Sequence, residues 1–198
     1  MSRSFVPIAN LQASSRGGIS RAFVLVFACL AISWPTGLSA ATLPDINTIK
    51  ADMLCNLARF VQWPDTMVAL NKGQLVVAVL GEDDLAGTIA SVLSTRSVNG
   101  KPVFVRFARR VQDVRGCQIV YIANPELAHL SDVVEALRGT STLTLADLEG
   151  FASRGGMVNF AGNSPNIRFE ICLTRANQAG LKMSSRLLAL ARVVESVN

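Results

Sequence analysis

Two stretches of the chain, Gln74-Leu75-Val76-Val77-Ala78-Val79-Leu80 and Cys117-Gln118-Ile119-Val120-Tyr121-Ile122-Ala123, are apolar at nearly every position. They are too short and too rich in β-branched residues for helices. A strand with one wet face alternates apolar and polar residues; a strand apolar on both faces must be covered on both. These two runs therefore require a sheet that lies between layers of helix.

The remaining pattern supplies those layers. In residues 45–62, Ile46, Ile49, Met53, Leu57 and Phe60 recur at steps of three and four, the stripe of an amphipathic helix. Trp63-Pro64 ends it, because the residue before proline avoids the α region. Asp83 or Asp84 caps a second helix with Leu85, Ile89, Val92 and Leu93 on its inner side. Asn99-Gly100 is a turn before a strand at 102–108, and residues 126–138 read as a helix closed by Gly139. A short strand at 142–145 and a helical turn at 146–153 follow. Strand and helix alternate throughout, which predicts parallel strands joined by crossovers.

After residue 153 the pattern changes. Strands at 157–160 and 167–173 flank Ala161-Gly162-Asn163-Ser164-Pro165-Asn166, a segment of turn formers, and so predict an antiparallel hairpin. A turn at 176–180 and a helix at 184–194, opened by Ser184-Ser185, complete the chain. The expected fold is a single α/β domain. Its mixed, mostly parallel sheet carries helices on both faces, with a C-terminal antiparallel hairpin plus helix.

Residues 1–41 are read as a signal peptide. Arg3, Arg16 and Arg21 precede or border the apolar run 22–34, no acidic residue occurs before Asp45, and Ser39-Ala40-Ala41 fits signal peptidase. The run falls short of the roughly 20 residues a membrane-spanning helix needs. Cleavage near Ala41 leaves one domain, 42–198, with no membrane span. It also removes three arginines, lowering the formal charge from +5 to +2 and with it any argument for nucleic acid. Cys55, Cys117 and Cys172 remain, an odd number in an oxidising compartment. At least one thiol is therefore free or bonded to another chain, and three pairings stay open. No CxxC or Cys/His spacing suggests a metal, and no glycine-rich loop suggests a nucleotide.

The chain resembles the YfiR-like family of periplasmic proteins over about 49–194. The resemblance rests on Lys50, Phe60-Val61-Gln62-Trp63-Pro64, Val79-Leu80-Gly81, Val98-Asn99-Gly100-Lys101-Pro102-Val103 and Gly116-Cys117. Its most specific part is Gly155-Gly156-Met157-Val158-Asn159-Phe160, Ile167-Arg168-Phe169-Glu170-Ile171 and Gly180-Leu181-Lys182-Met183-Ser184-Ser185-Arg186-Leu187-Leu188. It implies an α/β fold, a tendency to form homodimers, and a repressor that holds the periplasmic domain of a membrane diguanylate cyclase inactive. An outer-membrane lipoprotein that sequesters the repressor would release cyclic-di-GMP synthesis and biofilm growth. Relatives place a cysteine before Gly81 to pair with the one matching Cys117; here that strand reads Val76-Val77-Ala78-Val79, so this bridge cannot form.

Six residues are candidate partner contacts: Trp63, Asn159, Arg168, Glu170, Met183 and Arg186. The ordinary readings are that Trp63 packs a corner, Met183 fills core, and the strand residues make cross-strand pairs. Lys50 is expected either to pair with Glu170 or to snorkel to water, and Cys55 to lie on the exposed side of its helix, where it could link two chains. Asp83 and Asp84 are read as helix-capping rather than ligand-binding. Cys117 and His129 are the one pair to weigh for nucleophilic catalysis, and no orienting acid accompanies them. The expected function is cofactor-free repression by direct binding. The alternative is a periplasmic small-molecule binding module feeding a transporter or histidine kinase, motivated by the strand end at Gly81.

Overall fold

The computed structural model describes residues 45–162 and 166–195. The signal segment 1–41 with its cleavage site, the first residues of the predicted domain, hairpin residues 163–165 and the last three residues lie outside them.

The first helix, α1 (Ile46–Arg59), opens where the Asp45 carboxylate accepts the Asn47 amide at 3.3 Å. Its buried face runs through Lys50, Ala51, Leu54, Leu57 and Ala58, rotated from the predicted stripe; Met53 is half-buried and Phe60 is exposed. The small side chains of Ala51 and Ala58 let α1 approach α3 (Asp84–Ser94) closely, so they take the interior instead. The helix also stops earlier than predicted. Val61–Gln62 form a strand, β1, paired antiparallel with β9 (Lys182–Met183). Helix α2 (Asp65–Leu70), which the sequence pattern did not reveal, starts behind Pro64, whose fixed φ suits a helix entry.

The main sheet contains β2 (Leu75–Leu80), β3 (Ser97–Val98), β4 (Lys101–Ala108), β5 (Ile119–Ile122), β6 (Leu143–Ala146), β7 (Val158–Ala161), β8 (Arg168–Cys172) and β10 (Arg192–Val194). Their spatial order is β10-β8-β7-β6-β5-β2-β4-β3. Only β3–β4 and β7–β8 are antiparallel; every other pair is parallel. Asn99 and Gly100 join β3 to β4 with φ of 52° and 77°, the backbone of a two-residue hairpin turn.

Alternate residues of the central strands enter separate cores. Val77, Val79, Ile119, Tyr121, Leu143 and Leu145 face α1 and α3. Ala78, Leu80, Val120, Ile122 and Ala146 face Phe151, a 3-10 turn at Val111–Val114, and α4 (Leu130–Ala136). Both layers required by the apolar runs are present. The residues read as one helix at 126–138 divide into a 3-10 segment, Asn124–His129, and α4. Pro125, lacking an N–H, belongs at such a tightened entry. The segment read as a closing helix, 184–194, also divides. Short α5 (Leu173–Gln178) and β9 precede α6 (Ser185–Leu190), after which β10 joins the open edge of β8 in parallel register, Val193 beside Ile171. An unpaired sheet edge accepts a β-branched segment more readily than a helix does. No described helix is long and apolar enough to cross a membrane.

Candidate functional site

The C-terminal half of α1, the entry to β8 and the outer turn of α6 enclose a groove of about 560 Å³. Met53, Asn56, Leu57 and Phe60 form one wall, Ile167, Arg168 and Phe169 the floor, and Leu187, Ala189 and Leu190 the other wall. Ser184 sets α6 by accepting the Leu187 amide at 3.3 Å, and its own amide donates to the Phe60 carbonyl at 3.0 Å, which pins the two walls together. Leu187 is buried, whereas Leu190 is 77% and Phe60 36% exposed. A six-residue helix carrying Leu187-Leu188-Ala189-Leu190 has too little buried face for all of its apolar side chains. Arg168, exposed, is the only charged residue of the lining. The surface is apolar, rimmed by a cation, and supplies no nucleophile or titrating acid; its chemistry is that of adhesion.

The six predicted contacts do not converge. Arg168 lines the groove, and Arg186 is exposed on α6 but outside the lining. Glu170 is largely buried, paired with Arg192 at 3.3 Å and accepting the Asn159 amide group at 3.3 Å. Asn159 is itself 1% exposed, and its oxygen accepts the Leu148 amide at 2.9 Å, so it offers no outer surface. Trp63 is half-buried and donates its indole N–H to the Gln118 carbonyl at 3.1 Å, a corner-packing arrangement. Met183 is half-buried opposite Val61.

Two structural expectations need correction. Lys50 pairs with Asp147 at 2.6 Å rather than with Glu170, its ammonium lying 5.9 Å from the centre of the Phe160 ring. Asp147 directly follows β6, nearer the middle of the sheet than Glu170, and reaches the inward-facing lysine first. Cys55 is buried, 5% exposed, because the rotation of α1 turns it inward, so among the described residues no accessible thiol is left to link two chains. Of the pairings left open by the sequence none forms: Cys55, Cys117 and Cys172 are all free and buried. Burial pushes the Cys55 and Cys117 thiols up, opposed by the charges of Arg59 and Arg106 respectively. The Arg106 guanidinium lies 2.9 Å from the Cys117 sulfur, which is 0% exposed, so Cys117 cannot meet a substrate as nucleophile.

At the strand end after Gly81 a cleft of about 640 Å³ opens between Glu82, Phe107 and Arg110, but the Asp83 carboxylate is committed within the fold. Asp83 caps α3 through the Ala86 amide at 2.6 Å and also accepts the Tyr121 hydroxyl at 3.1 Å and the Asn124 amide at 2.9 Å. Capping was the expected role; the link to Tyr121 was not visible in sequence. Exposed Leu190 and Phe60 were likewise missed. Periodicity groups Phe60 with the buried stripe, and the one available signal was the excess of consecutive leucines in α6.

A family model described as YfiR/HmsC-like matches residues 47–192. None of the curated proteins matches the chain in sequence. Among solved structures, the chain is similar to the ligand-free, open form of CD0873, a substrate binding protein with adhesive properties from Clostridium difficile. That match has 10% identity and a TM-score of 0.46, over 69% of this chain and 61% of that one. A conserved domain protein from Vibrio cholerae O1 biovar eltor matches at 14% identity and TM-score 0.43, over 65% and 57%. An ABC domain in complex with L-Trp from Streptococcus pneumonia matches at 12% and 0.45, over 70% and 60%. The chain thus spans about 60% of the length of these proteins.

Proposed function

The chain belongs to the YfiR/HmsC-like family, and from that premise we propose that it is a periplasmic regulator that represses a membrane-bound signalling enzyme by binding its periplasmic portion. The enzyme is a diguanylate cyclase, the repressor acts without a cofactor, and an outer-membrane lipoprotein competes for it. The observation that supports this reading is the groove between α1, β8 and α6, with exposed Phe60 and Leu190 at its mouth and Arg168 at its rim. Apolar side chains left in water beside a concave surface favour a macromolecular contact; burying the mostly exposed Leu190 contributes about 1–2 kcal/mol, and Phe60, only 36% exposed, less. Repression then follows from preferential binding to the inactive conformation. Moving an enzyme from 99% active to 99% inactive requires roughly a 10⁴-fold preference.

The experiment is capture of periplasmic cyclase domains from the same organism by the purified protein, with intracellular cyclic-di-GMP measured in parallel. Leu190→Asp is expected to weaken capture at least tenfold while leaving thermal stability unchanged, since the side chain is 77% exposed. Absence of capture, together with unchanged cyclic-di-GMP on deletion, refutes the reading.

The groove's volume also supports a second reading, a small-molecule module feeding a transporter or histidine kinase. About 560 Å³ falls within the roughly 300–1,000 Å³ of ligand pockets. A ligand that raises thermal stability in the wild type but not in Leu187→Ser separates this reading from the first.

A further inference from the structure

Helix α4, the segment before β7 and the end of α5 border a small cavity of about 40 Å³ that shares no residue with the groove. Arg138 and Arg175 both line it, together with Thr144 and Gln178, and no acidic residue does. All 14 acidic side chains of the chain fall within the described residues. Arg175 forms an ion pair with none of them. Its Nε is buried without a hydrogen-bond partner. Arg138 engages Glu135 through Nε at 2.9 Å, an exposed pair that leaves its terminal nitrogens available. The Thr144 hydroxyl accepts the Met157 amide at 3.1 Å, so its own proton is free to be donated. The cavity is thus furnished with donors and positive charge, and its lining holds no anion to meet the Arg175 guanidinium.

We propose that this cavity is a binding site for one small oxyanion, a carboxylate or a phosphate group of a free molecule. A buried water needs roughly 10–15 Å³ of such space, so the cavity holds about three waters, the size of one such group. Arg175 supplies the charge-assisted bond, because a guanidinium matches two oxygens of an oxyanion at once. Thr144 donates from the β6 side and Gln178 from α5. The site is separate from the groove, and its failure would leave the proposed function untouched.

The test is thermal unfolding of the purified protein at constant ionic strength in chloride, acetate and phosphate. At a hundred times its dissociation constant, the bound anion raises Tm by roughly 5–10 °C for a domain of this size. A rise in acetate alone assigns a carboxylate, and a rise in phosphate alone assigns a phosphate. Arg175→Gln is expected to abolish the rise, and this comparison removes general salt effects. Arg138→Gln, at an exposed helix end, should fold normally and weaken binding about three- to tenfold; it decides the matter in the same assay if Arg175→Gln does not fold. Equal Tm in all three salts, or a rise that is undiminished in the folded variants, overturns the proposal.

Discussion

The Lys50–Asp147 pair gives the sharpest test of how this fold is held, because its two partners differ in solvation. Lys50 keeps 10% of its side-chain exposure and Asp147 keeps 27%. Removing one partner of a buried pair costs about 3–5 kcal/mol because the other is left charged and dehydrated. Asp147→Ala strands the more deeply buried ammonium against the Phe160 ring, and a cost of about 2–4 kcal/mol is expected, the lower part of that range. Lys50→Met keeps the packing of the stem and leaves a carboxylate that water still reaches, so about 1–2 kcal/mol is expected. In the double variant neither charge remains, and the costs should fall short of additivity by about 1–2 kcal/mol. Urea unfolding followed by the fluorescence of half-buried Trp63 measures all three. If Lys50→Met costs as much as Asp147→Ala, or if the two costs simply add, the assignment of an asymmetrically buried, coupled pair is wrong.

Two further outcomes follow from the titrating groups. Burial, with the Asp83 carboxylate beside it, pushes the Tyr121 phenol above its ordinary value. The fold therefore favours the neutral phenol, and this contribution is complete below about pH 10 and lost above it at about 1.4 kcal/mol per pH unit. Tyr121 is the only tyrosine, so phenolate absorbance should appear together with unfolding rather than before it; smooth titration in the folded protein contradicts the burial. For the thiols, Cys55, Cys117 and Cys172 are free and buried, so a thiol reagent should label none of them in native protein at mildly alkaline pH and all three once the chain is unfolded in denaturant. Rapid labelling of Cys55 in the native state would restore it to the helix surface.

The candidate site was only partly legible beforehand. Arg168 was singled out on the polar face of its strand and Arg186 within the motif that carries the family resemblance, and both prove exposed, Arg168 in the groove lining itself. Asn159 and Glu170 share that motif, yet Glu170 turns toward Arg192, Asn159 toward the Leu148 amide, and the two bond to each other. Polar residues on one strand face look alike in sequence whether they meet a partner or one another. Lys50 shows the same limit at longer range: alternation made Glu170 a plausible counterion, but Asp147, 97 residues away, is the one the sheet brings near.

Local chemistry alone determined the layered α/β architecture, the parallel order of crossovers, the β7–β8 hairpin and the Asp83 cap. Each depends on periodicity, β-branching or a side chain acting within a few residues of itself. Tertiary structure decided the rest: which face of α1 turned inward, the conversion of the last residues into β10 and the exposure of Phe60 and Leu190. The physical reason is competition for a limited interior. The tail's backbone groups were drawn to an open edge at β8, and Ala51 and Ala58 allowed helices to close where larger side chains could not. Such outcomes are set by what the neighbouring element offers, and a linear pattern carries no record of its neighbours.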